Sequence, residues 1–287
     1  MAGNADADLR EEDGVPHTPH RPVDVAALVP ELAGQERTAI RLHPRPGRPG
    51  PQDSSIGGPL LWSATEPWPT CDHPGHPTSP SMVAVAQLYA RDVPGLPAPP
   101  GADLCQVLWC PTWHHEPNYA PRIEVRWRAS GRDPGMGGDL ASAPPVDPVT
   151  ADEDFIPQPC SVSPEQTIDY PDWSELSEEL SQRIEAWERD SGWNYAYHLG
   201  AAPGTKVGGW PEWMQDPEWP TCPSGHPMDH LLTIASWEYD AESQQAWKPP
   251  DLADGDAGLM LGDAGDVYIF TCVTCDDRPI ASLLQAS

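Results

Sequence analysis

The chain has 287 residues, of which 38 are proline and 24 are glycine, and this composition predicts a loop-rich fold with few long helices. Its 44 acidic and 16 basic residues give a formal charge of −28. Free nucleic acid and acidic membrane surfaces are therefore disfavoured as ligands, because binding phosphate requires basic surface. The same charge favours a basic protein partner through electrostatic steering, although the alternative is that it serves only to keep the chain soluble.

The seven cysteines are an odd number with short spacings, unlike the framework of a disulfide-rich secreted protein. Residues 1–13 are acidic and lack the apolar centre of a signal peptide, and no apolar run approaches the length of a membrane span. We therefore expect a cytoplasmic protein without a transmembrane segment. The sequence does not indicate the oligomeric state.

The first half of the chain consists of a tail and a strand-rich segment. Residues 1–22 are polar, acidic and contain proline, which predicts a disordered tail. Residues 23–129 form a first repeat that begins with a short helix. Strands are predicted at 38–43, 82–89 and 104–109, and a further strand is predicted at 123–128 because apolar and charged residues alternate there.

The second half follows a linker at 130–164 that is rich in proline, glycine and aspartate. Residues 165–287 contain the main helix and a second repeat, and we expect both repeats to pack as one domain. Asp172 and Glu175 have the spacing of a capping box, and Gly192 is a suitable end of the helix. The apolar stripe between these ends consists of Leu176, Leu180, Ile184 and Trp187.

The strands of the second repeat are predicted at 231–237 and, as a hairpin, at 258–261 and 267–270. Asp263 and Asp266 lie in the connection of this hairpin. No Asp-x-Asp-x-Asp-Gly loop with a closing glutamate surrounds them, so turn formation explains these aspartates better than calcium binding.

One motif occurs twice in the chain. Residues 57–62 read Gly-Gly-Pro-Leu-Leu-Trp, and residues 208–213 read Gly-Gly-Trp-Pro-Glu-Trp. Each copy continues in the same register to a Trp-Pro-Thr-Cys segment that ends at Cys71 or Cys222, and a Gly-His-Pro segment follows. A match of this length predicts an internal duplication. Because the repeated residues are metal-ligand types, it also predicts a metal site in each copy.

In the second repeat, the predicted ligands form two pairs, Cys222 with His226 and Cys272 with Cys275. Zinc takes four tetrahedral ligands from thiolates and imidazoles, and a tight turn can present two of them to one ion. Two such turns predict a closed site with three cysteines and one histidine. The alternative is a redox Cys-x-x-Cys, but such a motif begins a helix, whereas Pro279 and two aspartates follow here.

In the first repeat, position within the motif selects the ligands. The predicted set is Cys71, His76, Cys110 and His114. His73 and His115 are rival ligands. The alternative to a metal is a decayed site whose cysteines pack as small apolar side chains. With both sites intact, the chain would bind about two zinc ions.

These motifs resemble two known families. Residues 55–59 (Ser-Ile-Gly-Gly-Pro), 208–211 and 261–265 (Leu-Gly-Asp-Ala-Gly) resemble the Gly-Gly-x-Pro motif and late Gly-Asp-x-Gly hairpin of the YwqG-like family of bacterial proteins of unknown function. Many members of that family lack the cysteines, so the metal prediction rests on this sequence alone. The duplicated Gly-Gly motif followed by cysteine pairs is also similar to the eukaryotic programmed cell death 2 family. That resemblance implies a chaperone for a basic ribosomal protein, and neither resemblance implies a catalytic residue.

The expected fold is α+β, a β-rich duplicated domain of two similar repeats, each with a zinc knuckle, and one main amphipathic helix. The expected function is that of a zinc-stabilised acidic protein that binds a basic protein partner, as an immunity protein or a chaperone. The alternative is a zinc-dependent hydrolase that uses residues 114–116 (His-His-Glu), with Glu116 as general base. A closed four-ligand site favours the protein-binding function over the hydrolase, because four protein ligands leave no position on the metal for a substrate.

Overall fold

A computed structural model describes residues 18–76, 78–115, 119–132, 138–250 and 255–286. Within these residues the protein is α+β and rich in strands, as the sequence predicts. Residues 1–17 of the predicted acidic tail lie outside the described part.

The described residues contain twelve strands. They are β1 (Arg37–Arg41), β2 (Arg45–Pro46), β3 (Ser55–Ile56), β4 (Val83–Tyr89), β5 (Leu104–Trp109), β6 (Ile123–Arg128), β7 (Cys160–Ser161), β8 (Glu165–Asp169), β9 (Lys206–Gly208), β10 (Asp229–Ala235), β11 (Asp266–Thr271) and β12 (Ile280–Gln285). Strands β5 and β6 begin and end at the predicted residues.

The described helices are short apart from one. They are α1 (Val25–Leu28), α2 (Glu178–Ser191), α3 (Tyr195–His198) and α4 (Gln244–Trp247), with three-residue 3-10 turns at Pro30–Leu32, Glu153–Phe155 and Trp173–Glu175. The apolar stripe of α2 packs against α1 and α3, with Ile184 fully buried. This helix therefore contributes its apolar face to the core.

The start of α2 differs from the prediction. Asp172 caps the preceding 3-10 turn by accepting a hydrogen bond from the Ser174 N–H at 2.8 Å. Ser177 caps α2 itself, since its hydroxyl oxygen accepts the Leu180 N–H at 3.3 Å. The reason is that Leu176 adopts an extended backbone between the two caps, which ends the first turn before the helix begins. Gly192 ends α2 in the left-handed conformation, as predicted.

The strands form two six-stranded antiparallel sheets. The first has the order β12-β11-β10-β9-β1-β8, and the second has the order β6-β5-β4-β3-β7-β2. In the first sheet the consecutive strands β9 to β12 form a meander, and β1 and β8 extend the sheet beyond β9. In the second sheet β3 to β6 form a meander, and β7 and β2 extend the sheet beyond β3.

The two sheets correspond strand by strand. The strands β2, β3, β4, β5 and β6 of the second sheet occupy the same places as β8, β9, β10, β11 and β12 of the first sheet. The strands β1 and β7 are exchanged, since each lies in the sheet that the other half of the chain builds. Both meanders also carry a bulge at the third residue of their second strand, at Val85 in β4 and Leu231 in β10.

One core joins the sheets. It combines apolar side chains of the first sheet, such as Val207 and Ile234, with those of the second, such as Val85 and Val107. Phe155 and Cys160, from the segment predicted as a linker, are fully buried in the same core. Burial of this shared apolar surface is what holds the two halves together.

The Gly-Gly motif ends the first strand of each meander. Gly57 after β3 and Gly208 in β9 have φ values of 63° and 65°. A Cβ on Gly57 would lie 2.5 Å from the carbonyl oxygen of Gln158, and a Cβ on Gly209 would overlap the carboxylate of Asp169. Glycine is therefore required here both by backbone conformation and by close approach.

Candidate metal centres

Corresponding elements position the predicted ligands in each half. In the first half, Cys71 and His76 lie in the loop between β3 and β4, and the second pair lies just after β5. In the second half, Cys222 and His226 lie between β9 and β10, and the second pair lies just after β11. β4 is antiparallel to β5, and β10 is antiparallel to β11. The loop that leads into β4 or β10 therefore lies at the same end of the sheet as the residues that follow β5 or β11.

Local hydrogen bonds close the two knuckle loops in the same way. The Met82 N–H donates to the Pro69 carbonyl at 3.0 Å, and the Met228 N–H donates to the Pro220 carbonyl at 3.1 Å. In the second loop, the Cys222 N–H also donates to the His226 carbonyl at 2.9 Å. These bonds place a cysteine and a histidine on the same side of a tight turn.

The second half brings together all four of its predicted ligands. The Cys222 Sγ lies 3.6 Å from the His226 Nδ1 and 3.8 Å from the Cys275 Sγ. The His226 Nδ1 lies 3.3 Å from the Cys275 Sγ and 3.8 Å from the Cys272 Sγ. We call these four residues the Cys3His cluster.

The first half also brings together all four of its predicted ligands. The His114 Nε2 lies 3.1 Å from the His76 Nε2 and 3.5 Å from the Cys71 Sγ. The Cys110 Sγ lies 3.3 Å from the His76 Nε2. We call these four residues the Cys2His2 cluster, and in both clusters all four ligand atoms lie within 4.8 Å of one another.

The separations fit one tetrahedral ion in each cluster. With metal–sulfur bonds of about 2.3 Å and metal–nitrogen bonds of about 2.0–2.1 Å, tetrahedral geometry requires about 3.8 Å between two sulfurs, about 3.6 Å between sulfur and nitrogen and about 3.3 Å between two nitrogens. The observed separations run from 3.1 to 3.8 Å. None of the cysteines is in a disulfide, so each cluster can hold a metal ion.

Tryptophans pack beside both clusters. The rings of Trp62 and Trp68 lie 5.0 Å apart beside Cys71, and the rings of Trp213 and Trp219 lie 5.5 Å apart beside Cys222. These apolar side chains limit the access of water, which strengthens the attraction between thiolates and a cation.

The pKa values of two ligands suit a cation, whereas burial raises the pKa of Cys110 to about 12 and that of Cys275 to about 11. Burial, assisted by His73 and His76, lowers the pKa of His114 to about 4, so its imidazole is neutral at pH 7 and has a lone pair to offer. Burial opposes ionisation of Cys222, but hydrogen bonds from the backbone N–H groups of His226 and Ser224 outweigh it and lower the pKa of this thiol to about 6. A cation bound in the cluster would stabilise the Cys222 thiolate and favour ionisation of the neighbouring thiols.

The structure separates the rival ligands in the first half. His76 and His114 belong to the cluster, whereas the His73 Nδ1 accepts the Gly75 N–H at 3.1 Å and His115 is exposed against Tyr119. Glu116, the predicted general base of the hydrolase alternative, lies outside the described residues.

Sequence analysis missed a second group of polar residues. Glu212 and Asp266 line a cavity in the second half, where an aspartate was predicted to serve only a turn. Alignment of the two copies of the motif could have indicated this group. Glu212 lies four residues after Gly208, where the first copy has the apolar Leu61.

A scan against models of known families and a search of curated proteins gave no match to this chain. Within the described residues, no helix combines the length and the apolar character needed to cross a membrane.

Proposed function

We propose that this protein is a zinc-stabilised acidic scaffold that binds a basic protein partner, as a chaperone or an immunity protein. The observation that carries this proposal is that each cluster offers four protein ligands to one ion. A closed tetrahedral site has no open position for water or substrate and stabilises the fold instead. The formal charge of −28 then supplies the long-range attraction for a basic partner.

Zinc is the metal that best suits these donors. Two cysteines with two histidines, and three cysteines with one histidine, are the ligand sets of structural zinc sites. Thiolates disfavour magnesium and calcium, which prefer oxygen ligands. When bound, zinc would join the knuckle loop to the end of the neighbouring strand in each half.

We also propose that the chain arose by internal duplication. The strand-by-strand correspondence of the two sheets supports this, as do the matching bulges and the similar φ values of Gly57 and Gly208. The surroundings of the clusters support it further, since Cys71 packs with Met82 and Cys222 packs with Met228. A relationship to the YwqG-like family, or to the programmed cell death 2 family, is proposed on the duplicated Gly-Gly motif.

The proposal predicts about two zinc ions per chain. Elemental analysis of protein purified without chelator is the test, because both clusters are complete. Chelation should release both ions and make additional thiols reactive. A metal content near zero, with all seven cysteines titrating as free thiols, would rule out both sites.

Binding of a basic partner should be fast at low salt and slow steeply as salt rises. The Debye length falls from about 30 Å at 0.01 M to about 8 Å at 0.15 M ionic strength, so exposed charges lose their reach. Glu178 and Glu179 are exposed at the start of α2. Reversing both to lysine should slow association several-fold, while the two bound zinc ions are retained.

Stopped-flow association with a partner captured from the native cell measures this effect. If the charge serves only solubility, no specific partner is captured, or the association rate does not change with either salt or charge reversal. The hydrolase alternative gives a different result, since His114→Ala would abolish a turnover while partner binding survived.

A further inference from the structure

A cavity of about 430 Å³ lies in the second half, between α3, the segment after the Gly-Gly turn and the loop that follows β10. The aromatic side chains that line it are Tyr197, Trp213, Trp237 and Tyr239. Three carboxylic acids, Glu212, Asp240 and Asp266, also line it. None of the described residues that line this cavity is lysine or arginine.

Large apolar side chains are exposed at the mouth of this cavity. Trp237 is 51% exposed, Tyr197 is 40% exposed and Met214 is 37% exposed. Such side chains usually pack in the interior, and a group of them around a concave surface marks a binding site.

At the corresponding place in the first half, side chains occupy the space. There Leu61, Tyr89 and Leu104 are buried together as a small apolar cluster. Tyr89 and Leu104 are the last pair of the β4–β5 ladder, and Leu61 lies four residues after Gly57. Three apolar side chains therefore fill the space.

In the second half each of these positions is changed. Ala235 and Asp266 are the last pair of the β10–β11 ladder, so they occupy the places of the tyrosine and of one leucine. Glu212, four residues after Gly208, takes the place of the other leucine. One large ring has become a methyl group and two apolar side chains have become acids. These changes reduce the apolar side-chain volume at this place and put two carboxyl groups into the lining of the cavity, although burying polar groups costs stability.

Cations and hydrogen-bond donors of the protein do not fully stabilise the ionised forms of the acids in this cavity. Lys206, a buried cation that acts on both Glu212 and Asp266, is already paired with Asp169 at 2.7 Å. Among the described residues, none donates a hydrogen bond to the Glu212 carboxylate. Burial raises the pKa of Glu212 to about 8, and burial next to Glu212 and Glu238 raises the pKa of Asp266 well above its usual value. An incoming cation would stabilise the ionised form of both groups.

The aromatic wall already attracts a cation at its rim. The Lys248 Nζ lies over the Tyr239 ring, 5.6 Å from its centroid. A guanidinium group combines stacking on aromatic rings with paired hydrogen bonds to carboxylates, so arginine uses both features of this cavity.

We propose that this cavity binds an arginine side chain of the basic partner, stacked on Trp237 and reaching towards Glu212 and Asp266. The inference rests on the proposed function and adds the place and the chemistry of recognition. It assigns to the second half a role in binding that the first half does not share.

The test uses the full-length protein purified without chelator and a capped peptide of four arginines. Calorimetry gives the affinity, and the tryptophan fluorescence should change because two tryptophans line the cavity. The variant Glu212→Gln with Asp266→Asn should weaken binding at least about tenfold, since a hydrogen bond between charged groups accounts for about that factor.

Two controls separate the cavity from general attraction. Asp139→Asn with Glu153→Gln removes two exposed carboxylates from the first half and should change the affinity by less than about threefold. The same peptide with citrulline in place of each arginine keeps the shape without the charge and should not bind measurably. Equal losses in the two charge variants, or equal binding of the citrulline peptide, would overturn the inference.

The outcome is distinct from that of the proposed function. If the arginine peptide fails to bind the wild-type protein at low salt while a captured partner still binds, the cavity inference fails and the scaffold proposal stands. If the peptide binds in the cavity but elemental analysis finds no zinc and no partner is captured, the proposed function fails and the cavity inference stands.

Discussion

Replacing Cys272 with serine should reduce the bound zinc from about two ions per chain to about one. Cys272 is fully buried in the Cys3His cluster, between the end of β11 and the knuckle loop. A ligand that binds only the folded state stabilises it by about 4 kcal/mol when its free concentration is about 1,000 times the dissociation constant. We expect at least that loss, and in a chain of 287 residues it lowers the melting temperature by about 7 °C.

A matched control is available in the same fold. Cys105 in β5 is buried but belongs to neither cluster. Cys105→Ser places a hydroxyl in the core, which costs about 1–3 kcal/mol, yet it should leave the zinc content near two and the melting temperature sensitive to chelator. Elemental analysis and melting with and without chelator distinguish the two variants. If Cys272→Ser keeps both ions, the Cys3His cluster is not a metal site.

Replacing Lys206 with methionine should lower the free energy of unfolding by about 3–5 kcal/mol, the usual cost of leaving a buried charge without its partner. Lys206 in β9 and Asp169 in β8 are both fully buried, and their charged groups lie 2.7 Å apart. The carboxylate of Asp169 also accepts the N–H groups of Ala202, at 3.1 Å, and Trp210, at 3.2 Å. The pair therefore fixes the Gly-Gly turn that leads to the Cys3His cluster.

The double variant Lys206→Met with Asp169→Asn is the control for this prediction. An asparagine oxygen can still accept a backbone N–H, but no unpaired charge remains, so the double variant should recover part of the lost stability. Denaturant unfolding of the wild type and both variants gives the comparison. A loss of less than about 1 kcal/mol for Lys206→Met would show that water or another group compensates Asp169.

Several strands could be predicted because their pattern is local. Strands β4 and β5 are runs of mainly apolar residues, and β6 alternates apolar with charged residues. Both β5 and β6 were predicted at the observed residues. The hairpin predicted at 258–261 and 267–270 was wrong. Residues 258–261 are not a strand, since Leu259 and Leu261 are buried in the shared core from an irregular segment. β11 pairs with β10 and β12 instead, so long-range packing overrode a plausible local turn.

The metal ligands illustrate both sides of this comparison. Residue type, spacing and place in a repeated motif were enough to predict six of the eight cluster residues and to restrict the other two to a pair of histidines each. The choice of His76 over His73, and of His114 over His115, required the fold, because both members of each pair satisfy the spacing. Only the packing of the loop decides which ring is turned towards the cysteines.

Residue type and short-range periodicity were sufficient to predict the strand-rich class, the apolar stripe of the main helix and the pairing of the ligands. The exchange of β1 and β7 between the sheets, the buried Lys206–Asp169 pair and the acidic cavity depend instead on how the chain folds. These features join residues that are distant in the chain. Their energies depend on burial and on the charges nearby, and a linear sequence does not state either quantity.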